Sequence, residues 1–175
     1  MQLRLFLARG LVAIGWAVVF AVTADSLTTG VGVLLVLYPL IDAVASVSDA
    51  RGQEGSARQL LELNAAVSVV AAVALGIAAT GDKGDVLAVF GVWALLTGVA
   101  QLVVAIRRRR TLGSQWPLRL AGAGSTLFGI AFLVMAGADN PKLRMIAVYA
   151  ATGGLDFLIQ AWLLSHRTHQ VAEAT

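Results

Sequence analysis

The chain has 175 residues, a length that ordinarily makes a single domain. It is 58% hydrophobic and 13% charged, against about 25% charged in an average chain, and its mean hydropathy is +0.82. This excludes an ordinary soluble helical domain, whose helices need polar faces that recur every few residues and are missing here. A net charge of +3 would suit nucleic acid, but the basic residues stand at the ends of apolar runs and form no stripe among aromatics, so no nucleic-acid partner is expected. The absence of Cys excludes disulfides, thiolate metal sites and a thiol nucleophile.

Crossing about 30 Å of hydrocarbon takes about 20 residues, and backbone groups cannot stay unpaired in lipid, so long apolar runs must be helices. Six segments meet that requirement: Leu5–Thr23, Val31–Ser48, Gln59–Ala79, Val86–Ile106, Leu118–Ala136 and Leu143–Ser165. The first resembles a signal peptide around Val22-Thr23-Ala24, but Arg9 falls inside its apolar core and it takes part in the repeat described below, so it is read as a retained span. Short connections follow the first span (Asp25, Ser26, Thr28), the second (Asp49 to Arg58), the third (Gly81-Asp82-Lys83-Gly84-Asp85) and the fifth (Ala138-Asp139-Asn140-Pro141). The fold class is therefore an all-α polytopic membrane protein, one six-helix domain over residues 1–175, with the lipid bilayer as its surroundings.

The run Arg107-Arg108-Arg109-Arg110 pins its neighbouring spans to one membrane face, since guanidinium groups do not enter hydrocarbon. One side of the six-span topology collects ten Lys and Arg residues and the other only Lys83, Lys142 and Arg144. That asymmetry predicts both termini in the cytoplasm. Trp116 and Trp162 would then lie near the inner interface.

Slid against itself, the chain shows Asp25, Asp82 and Asp139 spaced by 57 and again by 57, each in a turn on the outer side. A shift of 114 lays Gly10, Gly15, Ala17, Ala24 and Asp42 on Gly124, Gly129, Ala131, Ala138 and Asp156. Three like-oriented two-helix repeats are expected, at about 1–57, 58–114 and 115–170, with a possible pseudo-threefold axis along the membrane normal. This differs from the inverted repeats of many transporters.

Several polar residues fall at similar depth in the cytoplasmic third. Asp42 lies about 9 Å from the inner end of its span. Arg9, Gln101, Asp156 and Gln160 complete this polar layer, with Glu62 and Asn64 at the start of the third span. Burying a carboxylate at mid-helix costs about 2.5–3.5 kcal/mol, so such groups face the bundle interior or water. They form either a proton- or ion-responsive site centred on Asp42 and Asp156, or an Arg9–Asp42 or Arg9–Asp156 pair that fixes helix packing. Arg9, Glu62 and Arg119 are close enough to the interface to snorkel. Pro39 is expected to bend the second span just before Asp42.

On the third span Asn64, Ser68, Ala72, Gly76 and Thr80 recur every four residues, a face for close helix approach, either within the chain or as a homodimer or partner seam. No His lies in a span, since His166 and His169 are in the tail, and no paired metal ligands, nucleotide loop or calcium-loop pattern is present. Neither an enzyme nor a cofactor is expected.

The stretch Arg107-Arg-Arg-Arg-Thr-Leu-Gly-Ser-Gln-Trp116, followed by Leu120-Ala-Gly-Ala-Gly, resembles the HdeD-type acid-resistance membrane protein family. Arg9-Gly10 and the six-span hairpin pattern are similar to it as well. The resemblance implies a bacterial inner-membrane protein contributing to acid or envelope stress tolerance, and it carries over no catalytic residue. Two other functions stay open: a small proton or solute channel or transporter using the intramembrane carboxylates, and a scaffold binding another membrane protein.

Overall fold

Backbone satisfaction in lipid leaves an apolar run of this length only the helix, and the computed structural model contains six. They are α1 (Gln2–Thr23), α2 (Thr29–Ala50), α3 (Gly55–Ala78), α4 (Lys83–Leu112), α5 (Trp116–Ala136) and α6 (Arg144–Glu173). The structure describes residues 2–112 and 116–173, with side chains for 3–106 and 116–166. Gly113, Ser114 and Gln115, and the side chains of Arg107 to Arg110, Arg167 and His169, lie outside the described residues.

Each helix is long and apolar enough to span a membrane, so the chain is a six-span membrane protein with both ends on one side. Two helices outrun the expected spans by six residues or more at one end. α4 continues through the backbone of the arginine run, and α6 continues past Ser165. At 30 residues each is about 45 Å long, so its last turns project beyond the hydrocarbon. α2 also runs on to Ala50, which takes Asp49 out of the expected loop and into its last turn. α2 is continuous through Pro39, which is buried.

The outer surface is apolar. Val22 on α1, Ile77 on α3 and Leu127 and Val134 on α5 are between 67% and 74% exposed, as expected for side chains that face lipid.

Contacts between helices follow a cycle. The closely packed pairs are α2 with α3, α4 with α5, and α6 with α1, and the seams α1/α2 and α5/α6 touch only lightly. The tightest packing thus lies between the hairpins read from the sequence rather than within them. The cycle repeats in detail at the crossings. Gly98 of α4 rests on Gly122 and Thr126 of α5, and Gly154 of α6 rests on Gly10 and Ile14 of α1. At the corresponding point Asp42 of α2 accepts hydrogen bonds from Asn64 and Ser68 of α3. Asp42, Gly98 and Gly154 stand 56 residues apart, and in each case the two residues contacted are four apart. Two crossings are therefore built from glycine, where a Cβ would meet backbone at 2.6 Å at Gly98 and 3.0 Å at Gly154. The third is built from a carboxylate.

Toward the turns opposite the arginine-rich end, the bundle interior is solid. Val31, Leu87 and Leu143, again 56 residues apart, are at most 1% exposed. Phe20, Phe90, Phe132, Leu75 and Ile146 fill the space around them. Thr28 caps α2, its hydroxyl accepting from Val31 N at 3.3 Å. Asp82 and Asp85 exchange backbone-to-carboxylate bonds at the start of α4. The carboxylate of Asp25 pairs with Arg144 at 2.7 Å and its carbonyl accepts from Lys83 at 2.7 Å, so the α1–α2 turn is tied to the first residues of α6 and α4.

Candidate functional site

Nearer the arginine-rich end the six helices part around a chamber of about 450 Å³, to which every one of them contributes side chains. Its floor is aromatic. Trp16, Tyr38, Trp93, Phe128 and Tyr149 line it. Tyr38 packs 4.5 Å from Trp16 and 5.8 Å from Trp93 between ring centroids, and Phe128 lies 5.6 Å from Tyr149. Below these rings Phe20, Phe90 and Phe132 continue into the sealed half of the bundle.

Of the polar layer expected from the sequence, Arg9, Asp42, Gln101 and Asp156 all line this one chamber. Gln160 stands behind it, donating to Asp156 Oδ2 at 2.6 Å across one helical turn. Asp42 sits about 12 Å in from the end of α2. Its Oδ2 accepts from Asn64 Nδ2 at 2.8 Å and from Ser68 Oγ at 2.8 Å. Asn64 also donates to Ser46 at 2.9 Å, and Trp93 Nε1 donates to Ser68 Oγ at 3.0 Å. A chain of donors from the aromatic floor therefore ends on one oxygen of Asp42. Oδ1 has no partner among the described residues, and Asp42 is half-buried.

The pairing of Arg9 differs from expectation. Its guanidinium bonds Asp49, not Asp42 or Asp156, and lies 5.2 Å from the centre of the Phe157 ring. The two residues by which α2 outruns its expected end bring Asp49 onto the helix and within reach, and it is the nearer carboxylate to the membrane face. Arg9 is therefore neutralised at the chamber rim. Asp42 and Asp156 have no ion-pair partner among the described residues. Gln101 presents a buried Oε1 with no hydrogen-bond partner among them. Arg119 keeps a buried Nε that is likewise unpartnered among them, while Arg58 and Glu62 pair with each other on the exposed start of α3.

The small-residue face of α3 turns toward α2. Ser68 is fully buried on Asp42, Ala72 is 2% exposed, and a Cβ at Gly76 would contact Val36 of α2 at 3.4 Å, while Thr80 remains exposed. Residues not singled out from the sequence complete the chamber. Thr97 bonds the carbonyl of Trp93, and Ser125 bonds both the carbonyl of Ala94 and the hydroxyl of Tyr149 at 2.9 Å. Mid-span Tyr and Trp with polar tips were the available signal, since such tips need partners when buried.

Compared with known families, residues 86–134 match a short repeat of unknown function (DUF308). That stretch starts in the first turns of α4 and ends in the last turn of α5, so it covers one closely packed pair, including the arginine run at the end of α4. No curated protein and no solved structure matches the chain. The chain is accordingly a polytopic membrane protein in which one helix pair, α4 with α5, carries the likeness to that repeat.

Proposed function

We propose that this chain is a non-enzymatic bacterial inner-membrane protein that binds and moves protons or a small solute through its central chamber, from the side of its arginine-rich end. The observation that carries this reading is the convergence of Asp42 and Asp156 on one chamber with no basic residue among the described ones paired to either. A carboxylate inside a bundle is costly to keep, and placing two around shared space favours a task in that space over packing alone. A chamber on one side with a plug of Val31, Leu87 and Leu143 on the other suits one state of an alternating cycle better than an open pore. The excess of Lys and Arg at the arginine-rich end supports a cytoplasmic position for that end.

A setting in acid or envelope stress tolerance rests on the HdeD-type resemblance of Arg107–Trp116 alone, since the matched short repeat is of unknown function. A membrane scaffold has less support, because most of the α3 face suggested for a partner is covered by α2. The test is a flux assay in proteoliposomes, comparing the native chain with Asp42→Asn and Asp156→Asn. Proton or solute movement that falls at least about tenfold in both variants is expected, the scale of a lost charge-assisted contact. Equal flux in all three would remove the transport reading. A deletion strain that survives acid challenge as well as its parent would remove the stress setting.

A further inference from the structure

We infer that the chamber is a binding site for an amphipathic organic cation, a fixed positive charge carried on an aromatic or alkyl body, which enters beside the seam between α5 and α6. This deepens the proposed function by naming the class of solute.

Arg9 is the one basic residue among the described lining residues, and Asp49 already holds it at the rim. Among the described residues Asp42 is hydrogen-bonded only by the neutral donors Asn64 and Ser68, and Asp156 only by Gln160. A guest that is negative would face two carboxylates, and a neutral one would leave their charge uncompensated in a low-dielectric site. A small hydrated metal ion would find a wall that is mainly apolar and aromatic, without the dense oxygen set that such ions require.

An organic cation matches both features. The rings of Trp16, Tyr38 and Trp93 offer apolar area and attract positive charge through their quadrupoles. The unpartnered Oε1 of Gln101 adds a further electronegative atom. A volume of about 450 Å³ lies in the usual range for sites that take drug-sized molecules.

The route follows from packing. α5 and α6 make only light contact, and Leu120 and Leu155, which line the chamber from those helices, are 60% and 53% exposed. Gly124 also lines the chamber on α5, and a Cβ built on it meets nothing within 4 Å. The empty space in front of Gly124 is therefore a place where a larger side chain can occupy the site without displacing protein.

The test uses tetraphenylphosphonium and its anionic counterpart of the same shape, tetraphenylborate, with the full chain in nanodiscs and empty nanodiscs as the blank. Binding is read by equilibrium dialysis and by quenching of tryptophan fluorescence, since Trp16 and Trp93 border the chamber. Saturable binding of the cation is expected, with none of the anion above the blank. Asp42→Asn and Asp156→Asn should each weaken it by about tenfold, in line with loss of one charge partner. Gly124→Leu should abolish it while leaving elution volume and helical circular dichroism unchanged.

Equal binding of both ions would overturn the inference, as would no binding of either, or binding of the cation that Gly124→Leu leaves intact. The broader reading fails separately. If protons cross the membrane in an Asp42-dependent way but the cation does not bind, the solute class is wrong and transport stands. If the cation binds but nothing is moved, the site stands and transport falls.

Discussion

Asp42 stands where a packing role and the proposed role in the chamber can be told apart. It occupies a crossing that the other two close pairs fill with glycine, and it is held there by Asn64 and Ser68. Asp42→Asn preserves shape, so stability in detergent is expected to change by no more than about 1 kcal/mol while chamber function is lost. A thermal melt shifted by several degrees with flux unchanged would make Asp42 a packing residue. Asn64→Leu should behave in the opposite way. It leaves Asp42 and Ser46 short of a donor inside the bundle and should cost about 1–3 kcal/mol, measured by the same melt.

Much of this layer was legible in the sequence because depth along a transmembrane helix is a residue count. Asp42, Gln101, Asp156 and Arg9 fall at similar heights once the spans are placed. Whether they face one another depends on how each helix is rotated, and weak helical periodicity in nearly uniform apolar segments does not encode that. The Arg9 pairing was missed for a related reason. Asp49 sits at a helix boundary, where one or two more helical residues move a carboxylate from loop to bundle rim.

At the scale of the helices, close approach is decided by glycines that outwardly look alike. A Cβ at Gly129 would come within 2.6 Å of Leu95 N, and one at Gly98 within 2.6 Å of Thr126 N, whereas Gly15 has nothing within 4 Å. Gly129→Val should therefore force α4 and α5 apart and lower stability by about 1–3 kcal/mol, the usual cost of overpacking. Gly15→Ala should be neutral or stabilising by up to about 1 kcal/mol through helix propensity. Paired thermal melts decide this, and similar effects from both substitutions would contradict the close α4–α5 crossing. Composition alone could not sort these positions, because Gly and Ala occur throughout the spans. The repeat was visible but with a looser period. The turn aspartates are spaced by 57 and the crossing residues by 56, as expected if connections absorb an extra residue that a packed crossing cannot.

For the molecule as a whole, the arginine asymmetry makes a topological prediction that the cysteine-free sequence allows to be tested cleanly. In intact cells a membrane-impermeant maleimide should label Ala138→Cys at once, and Ser56→Cys only after permeabilisation. Both positions are exposed at opposite ends of the bundle. The reverse pattern would invert the chamber and place its mouth outside the cell. The light contacts at α1/α2 and α5/α6 leave the α1–α6 pair the least attached part of the cycle, joined to its neighbours by polar contacts such as Arg9 with Asp49 and Ser125 with Tyr149. Within the pair, Asp25 just past the end of α1 is ion-paired with Arg144 at the start of α6. That ion pair is exposed, so Arg144→Ala should cost less than about 1 kcal/mol in a detergent melt.

By itself the sequence determined that the chain lives in a membrane, how many times it crosses, and how deep each polar residue lies. These follow from transfer free energy and helix rise, which act residue by residue. Only the tertiary structure decided which helices become neighbours, which glycines touch, and that Asp42 and Asp156 share one chamber while Arg9 is neutralised elsewhere. Those outcomes rest on contacts between side chains far apart in the chain, in a solvent where apolar faces do not by themselves point inward.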